Sequence, residues 1–116
     1  MRLLKRNEID PRLDVNWNEI PAQVEAKVQT LSYLVLTAIE ALVDNEDDIR
    51  IVARGNHRRV QFTVHVHGDD VGFAVGQAGR HADALRILLI AACRKLKFHF
   101  DLDIIGPSGT VDWSSS

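Results

Sequence analysis

The chain is poor in the residues that secreted, membrane-spanning and metal-dependent proteins rely on. It has one cysteine, Cys93, in 116 residues, which excludes an intrachain disulfide. Cys93 falls inside an apolar helical run and reads as a small buried hydrophobe. No apolar stretch is long enough to span a bilayer, so no membrane association is expected. Met1-Arg2-Leu3-Leu4-Lys5-Arg6-Asn7-Glu8 starts like a secretory signal but lacks the apolar segment that must follow. The expected location is therefore cytoplasmic. No Cys-x-x-Cys or His-Glu-x-x-His run is present, and the serines cluster at the C-terminus, away from any base. No enzyme, no metal site and no cofactor are expected. Positive charge is also lacking: the net charge of −2 argues against a strongly basic nucleic-acid binder.

What is present, 46% hydrophobic and 26% charged residues, suits one globular domain with a modest core. Charge is unevenly distributed. Residues 1–48 carry five Lys/Arg against ten Asp/Glu, whereas residues 49–116 carry nine against six, together with all five histidines. A local basic excess of that size suggests moderate, salt-sensitive anion binding.

Hydrophobic spacing supplies the element order. Residues 1–19 lack steady periodicity and read as an N-terminal extension. Ile20, Val24, Val28, Leu31, Val35, Ile39 and Leu42 then recur at steps of three and four, predicting a helix with Asn18 as a cap candidate. Asp44 to Asp48 read as a solvated connector. Ile49–Arg54 and Val60–His67 read as strands around a Gly55-Asn56-His57 turn. Val60, Phe62, Val64 and Val66 should share a covered face, with Gln61, Thr63, His65 and His67 on a wet one. Gly68-Asp69-Asp70 offers an N-cap to a short helix, Val71 to Val75. A long helix from Arg80 to Leu96 should bury Leu85, Leu88, Leu89, Ala92 and Leu96. Phe98–Ile104 alternates as a third strand, stopped by Gly106-Pro107-Ser108-Gly109.

Between the two later helices lies Gly76-Gln77-Ala78-Gly79-Arg80. Two glycines around two small or polar residues let a backbone come very close to another molecule, because neither flank carries a Cβ. The turn also opens a helix, where unpaired N–H groups attract anions. Arg80 in a first helical turn is disfavoured by the helix dipole, and an anion bound beside it offsets that mismatch. Gly-x-x-Gly alone is a weak motif; the element order around it adds the specificity.

Together, Asp69-Asp70-Val71-Gly72-Phe73-Ala74-Val75-Gly76-Gln77-Ala78-Gly79-Arg80 and the order α-β-β-α-α-β resemble the small stand-alone bacterial type II KH-domain RNA-binding proteins. Ala82, Ala84, Leu85 and Leu88 are similar to the small and aliphatic positions of the family's next helix. The likeness covers roughly residues 22–105. It implies an α+β fold, a three-stranded mixed sheet with helices on one face, spanning residues 20–105 between the extension and a tail at 106–116. The implied function is single-stranded RNA binding through a backbone clamp, in the service of RNA chaperoning or post-transcriptional regulation. Single-stranded DNA stays an alternative ligand, because such a loop reads backbone before sugar.

Mapped onto this chain, the family's clamp would be Gly76, Gln77, Ala78 and Gly79, with amides facing a phosphate and Arg80 supplying charge. Val71, Ala74 and Val75 would floor an apolar groove, while Arg58, Arg59 and Arg86 are secondary phosphate candidates. The chain departs from the family in two places. RNA-binding members usually have Lys or Arg between the glycines, where Gln77 and Ala78 are uncharged; Ala82 stands where an Ile is frequent. Both departures point to lower affinity, and a competing reading is a protein-interaction module on a KH scaffold.

Similar small KH proteins pair with another KH protein, so a homodimer or a second KH chain is the expected protein partner. Ile87 and Ile90, off the main helical stripe, would suit such a surface, and Trp17 and Trp113 read as satellite packing or partner anchors. The less specific reading makes Arg58-Arg59 a solvated loop and Arg86, Arg94, Lys95 and Lys97 a wet helix face. His65 and His67, with His99 or Asp101 as a third group, are better read as exposed sheet polarity than as metal ligands.

Overall fold

The computed structural model describes residues 10–56, 58–94, 96, 98–107 and 109–110. The expectations for the first nine residues, His57, Lys95, Lys97 and Trp113 lie outside the described residues.

The stripe expected from Ile20 becomes helical only at α1, Glu25–Leu42, entered through a short 3-10 turn at Ala22–Val24, so that Ile20 and Val24 are buried ahead of the helix. Val28, Leu31, Val35, Leu36 and Ile39 bury its inner face. Strand β2 (Arg50–Gly55) pairs antiparallel with β3 (Arg59–His65), and Asn56 closes the turn by accepting from the amides of Arg58 and Arg59. Helices α2 (Val71–Val75) and α3 (Arg80–Ala92) carry the chain back to β4 (His99–Gly106), which pairs parallel to β3. The helices cover one sheet face: Ile51, Ala53, Val60, Phe62, Val64, Phe100, Leu102 and Ile104 are buried beneath them. Gln61, Thr63, His65, Asp101 and Asp103 alternate on the opposite, part-exposed face. The α-β-β-α-α-β order thus follows from the two hydrophobic periods.

Two further strands extend the three expected ones. Leu13–Val15 forms β1, parallel to β2, and Gly109–Thr110 forms β5 against the end of β4, so the sheet has five strands in sequence order. The extension therefore contributes to the sheet. Arg12 pins it, donating to both oxygens of Asp10, to Glu40 of α1 at 2.8 Å and to the Glu46 carbonyl at 3.0 Å. The Arg12 hydrogen bonds hold the Asp10 carboxyl below its ordinary range. Glu19 adds a second tie, accepting from two Arg54 nitrogens at 2.8 Å and from the Gly55 amide at 3.0 Å. Arg54 first, and then the Gly55 amide, pull the Glu19 carboxyl down to about 2. Trp17 packs against the core.

Three local expectations are corrected. Asn18 does not cap α1: the N-cap position is Val24, and Asn16 instead accepts from the Asn18 amide in a separate turn. Asp70 makes no capping hydrogen bond to α2. It is 1% exposed and accepts from the amides of Asp44 and Asn45 and from Asn45 Nδ2, so it fastens the α1–β2 connector to α2. Burial would raise its carboxyl, but these hydrogen bonds and the nearby His67 outweigh burial and lower it. Leu88 is 49% exposed. Helix α3 buries Ala82, Leu85 and Leu89, with Cys93 next in line just past its end; at 3.6 residues per turn these centre about 100° round the helix from Leu88, which stands beyond the rim of the buried face.

Candidate nucleic-acid interface

The turn between α2 and α3 is built by backbone conformations that few residues tolerate. Gly76 has φ 81° and ψ 163°, Ala78 φ 57° and ψ 24°, and Gly79 φ 76° and ψ 17°. Three positive φ values in four residues reverse the chain between the helices without a longer loop. Gly76 faces a second constraint: a Cβ there would lie 2.7 Å from His81 Cγ and 2.9 Å from the His81 amide nitrogen. Both glycines thus have a conformational reason to be glycine that is independent of any ligand.

Hydrogen bonds divide the amides of the turn. Gly76 N–H donates to the Gly72 carbonyl, Gly79 N–H to the Gly76 carbonyl, and Arg80 N–H to the Gln77 carbonyl. Among the described residues nothing accepts from the amides of Gln77 and Ala78, and both residues are exposed. No side chain caps the start of α3, so its first-turn amides add to the same partial positive charge. Arg80 is exposed, and no carboxylate among the described residues pairs with it. Two open amides, an uncapped helix start and a guanidinium with no carboxylate partner among the described residues therefore fall within the four residues Gln77–Arg80. That combination can hold a phosphate oxygen with charge-assisted hydrogen bonds of roughly 1.5–3 kcal/mol each.

The other expected site residues are placed differently. Ala74 and Val75 are buried in the core, and Val71 is half-buried against it, so none of them gives a groove an open floor. The exposed face of α2 carries Gly72 and Phe73 instead. Arg86 is engaged: Nε donates to the Leu102 carbonyl at 2.9 Å, and a terminal nitrogen lies 3.1 Å from Asp103. It braces α3 against β4 rather than facing the turn. Arg58 and Arg59 are exposed at the β2–β3 turn, at the opposite end of β3 from the segment leading into α2. Seven residues of strand at ~3.3 Å each put them about 20 Å away along the sheet, so they do not join the Gly76–Arg80 edge.

Two contributors were missed. His81 Nδ1 sits 2.7 Å from the Phe73 carbonyl; a carbonyl only accepts, so Nδ1 carries the hydrogen. This bond ties the last turn of α2 to the first turn of α3 across Gly76. Phe73 is 55% exposed beside the turn. Nothing in a single sequence signals the His81 contact, and the five-residue α2 is too short for periodicity to say which way Phe73 points. His65 and His99 sit on the part-exposed sheet face, and among the described residues no group of three or more His, Cys, Asp or Glu side chains could hold a metal.

The family model described as KhpA/KhpB, KH domain, matches residues 32–104, a span running from α1 through the Gly-x-x-Gly turn to β4. The chain belongs to this KH-domain family. The mixed sheet, the helices on one face and the order α-β-β-α-α-β are those of a type II KH fold. Similar curated proteins include the RNA-binding protein KhpA of Halalkalibacterium halodurans, 42% identical over 65 residues, covering 56% of this chain and 86% of that protein. KhpA of Mycobacterium tuberculosis H37Rv is 43% identical over 63 residues, covering 51% of this chain and 79% of that protein. KhpA of Bacillus subtilis 168 is 34% identical over 64 residues, covering 55% and 79%. No solved structure matches significantly. The β1 segment and Trp17 precede the span matched by the KH model. Among the described residues no helix is long and apolar enough to cross a membrane.

Proposed function

We propose that this KH domain binds single-stranded RNA by clamping its backbone at the Gly76–Arg80 turn, in the cytoplasm and in an RNA-chaperoning or regulatory role. The observation that carries the reading is the pair of amides at Gln77 and Ala78 and the adjacent Arg80 guanidinium, none of which has a partner among the described residues. The relatives' printed description as RNA-binding proteins supports the ligand class. The turn holds its ligand mainly through main-chain donors and one guanidinium, so binding is moderate and salt-sensitive.

The test is fluorescence anisotropy of a labelled single-stranded RNA pool with wild type and with Gln77→Asp/Ala78→Asp, across a salt series. Neutralising one to three phosphates gives log K a slope of about −0.7 to −2 against log salt. The double variant should lose binding while circular dichroism and melting stay near wild type. Equal binding by both proteins, or none by wild type, refutes the clamp.

A second reading concerns protein partners, and α3 favours it. Ile87, Leu88 and Ile90 are 65%, 49% and 56% exposed, and Ala84, Ile87, Leu88 and Ala91 form an i, i+3, i+4, i+7 stripe opposite the buried one. A helix apolar on both sides fits pairing with a second KH chain, a copy of this one or another. Ile87→Glu/Leu88→Glu should then halve the mass seen in light scattering of the wild type. A wild type that is monomeric at tens of micromolar and unchanged by the double variant would refute self-pairing.

A further inference from the structure

Three of the four phenylalanines, Phe62, Phe98 and Phe100, are buried in the core. The fourth, Phe73, is 55% exposed, and its place is specific. It lies on the open face of α2, three residues before Gly76, and its carbonyl is held at 2.7 Å by His81 Nδ1. His81 directly follows Arg80 and presses against Gly76. The backbone of Phe73 is thus tied to the segment carrying Arg80 and the amides of Gln77 and Ala78, for which no partner occurs among the described residues. A ligand covering this edge meets an anion-seeking surface and, next to it, a flat apolar face. A polymer that alternates a phosphate with a flat aromatic group satisfies both in succession.

From this juxtaposition we propose that Phe73 is a base-stacking platform: the nucleotide next to the clamped phosphate lays its base on the Phe73 ring, and His81 is the positioning residue that holds the platform against the clamp. The proposal rests on the RNA-binding reading above and deepens it. Stacking on an aromatic ring tolerates all four bases, because each has a π-face. Phe73 therefore contributes affinity for unpaired over paired RNA without demanding a sequence. A duplex, whose bases are stacked on one another, cannot use it.

The test measures anisotropy of wild type, Phe73→Trp, Phe73→Leu and Phe73→Ala with two labelled oligomers of equal length. One is a single-stranded RNA and the other an abasic phosphodiester. On RNA, Phe73→Ala and Phe73→Leu should weaken binding about 5- to 150-fold, the range of single base–aromatic stacks, and Phe73→Trp should match or exceed wild type. On the abasic oligomer all four proteins should bind alike. The salt slope should be the same throughout, because no charge changes. Full RNA affinity in Phe73→Ala or Phe73→Leu, or no preference of wild type for RNA over the abasic oligomer, overturns the platform while leaving the clamp intact. Binding of neither oligomer by wild type removes clamp and platform together.

Discussion

Substituting Gly76 by alanine should be among the most damaging single-methyl changes available to this chain. The added Cβ would sit 2.7 Å from His81 Cγ, 2.8 Å from Nδ1 and 2.9 Å from the His81 amide nitrogen. Real Cβ atoms do not approach that closely, so α3 would have to shift or His81 to leave its bond to Phe73. The backbone conformation at φ 81° and ψ 163° is one that only glycine occupies comfortably, a strain of about 1–3 kcal/mol for another residue. Overpacking adds roughly 1–3 kcal/mol. The lower entropy of alanine in the unfolded chain returns about 0.4–1 kcal/mol. Net destabilisation is therefore about 1–6 kcal/mol, a fall in Tm on the order of 5–30 °C for a domain of this size.

Gly79→Ala, which places a Cβ on a residue with φ 76°, should lose about 1–2 kcal/mol through the left-handed conformation alone. Ala78→Gly, at the non-glycine position with φ 57°, should be neutral or up to about 1 kcal/mol more stable. Urea unfolding followed by circular dichroism reads all three. The decisive comparison repeats Gly76→Ala in a His81→Ala background. If the His81 ring causes the damage, the alanine at 76 should cost about 1–3 kcal/mol less there. A Gly76→Ala protein within about 1 kcal/mol of wild type, or an equal loss in both backgrounds, would refute the described packing of His81 over Gly76.

Two further expectations concern residues whose roles lie away from the turn. Asp70 has a carboxyl lowered below its ordinary value despite burial, so its stabilising effect is complete above the unfolded value of about 4 and fades as pH falls through the lower folded value. Asp70→Asn should be less stable than wild type at pH 7, with the gap closing only below about pH 4; a gap constant down to pH 2 would contradict the assignment. Arg86→Ala should destabilise the fold by about 1–3 kcal/mol, because it removes donors from Leu102 and Asp103. Its RNA affinity, measured under conditions where the variant is folded, should stay within about twofold of wild type, and a tenfold loss would return Arg86 to the binding edge.

The legible parts of the fold were those with a repeating period. Helix α1 and the alternation of β3 and β4 follow from spacing, because each buries one face, whereas the short α2 was marked by the acidic turn before it and the glycine after it. Leu88 was misjudged because it stands only about 60° round the helix from buried Leu85, and a period of 3.6 does not say where along a broad apolar arc the buried face ends. β1 was invisible because three residues carry no period and its partner lies 38 positions away, as in Leu13 against Ile51. Asp70 looked like a cap because capping acids and loop-fastening acids occupy the same sequence position; only the approach of Asn45 separates them. At the turn, the glycines announced themselves, whereas the free state of Arg80 and the occupied state of Arg86 depend on carboxylates that only tertiary structure brings close or keeps away.

Closing both ends of an open sheet has a consequence for how this molecule meets its neighbours in a crowded solution. An unpaired strand edge is a template on which another chain can polymerise. Among the described residues β1 offers three positions and β5 two, runs on which a ladder gains little, and the Arg86 guanidinium sits on the Leu102 carbonyl of β4, upstream of the stretch β5 covers. A charge placed on that carbonyl discourages an incoming strand as well as bracing a helix. Among the described residues strand addition is thereby disfavoured at both rims, and self-association is steered to side-chain surfaces, where it can stop at a defined number of copies.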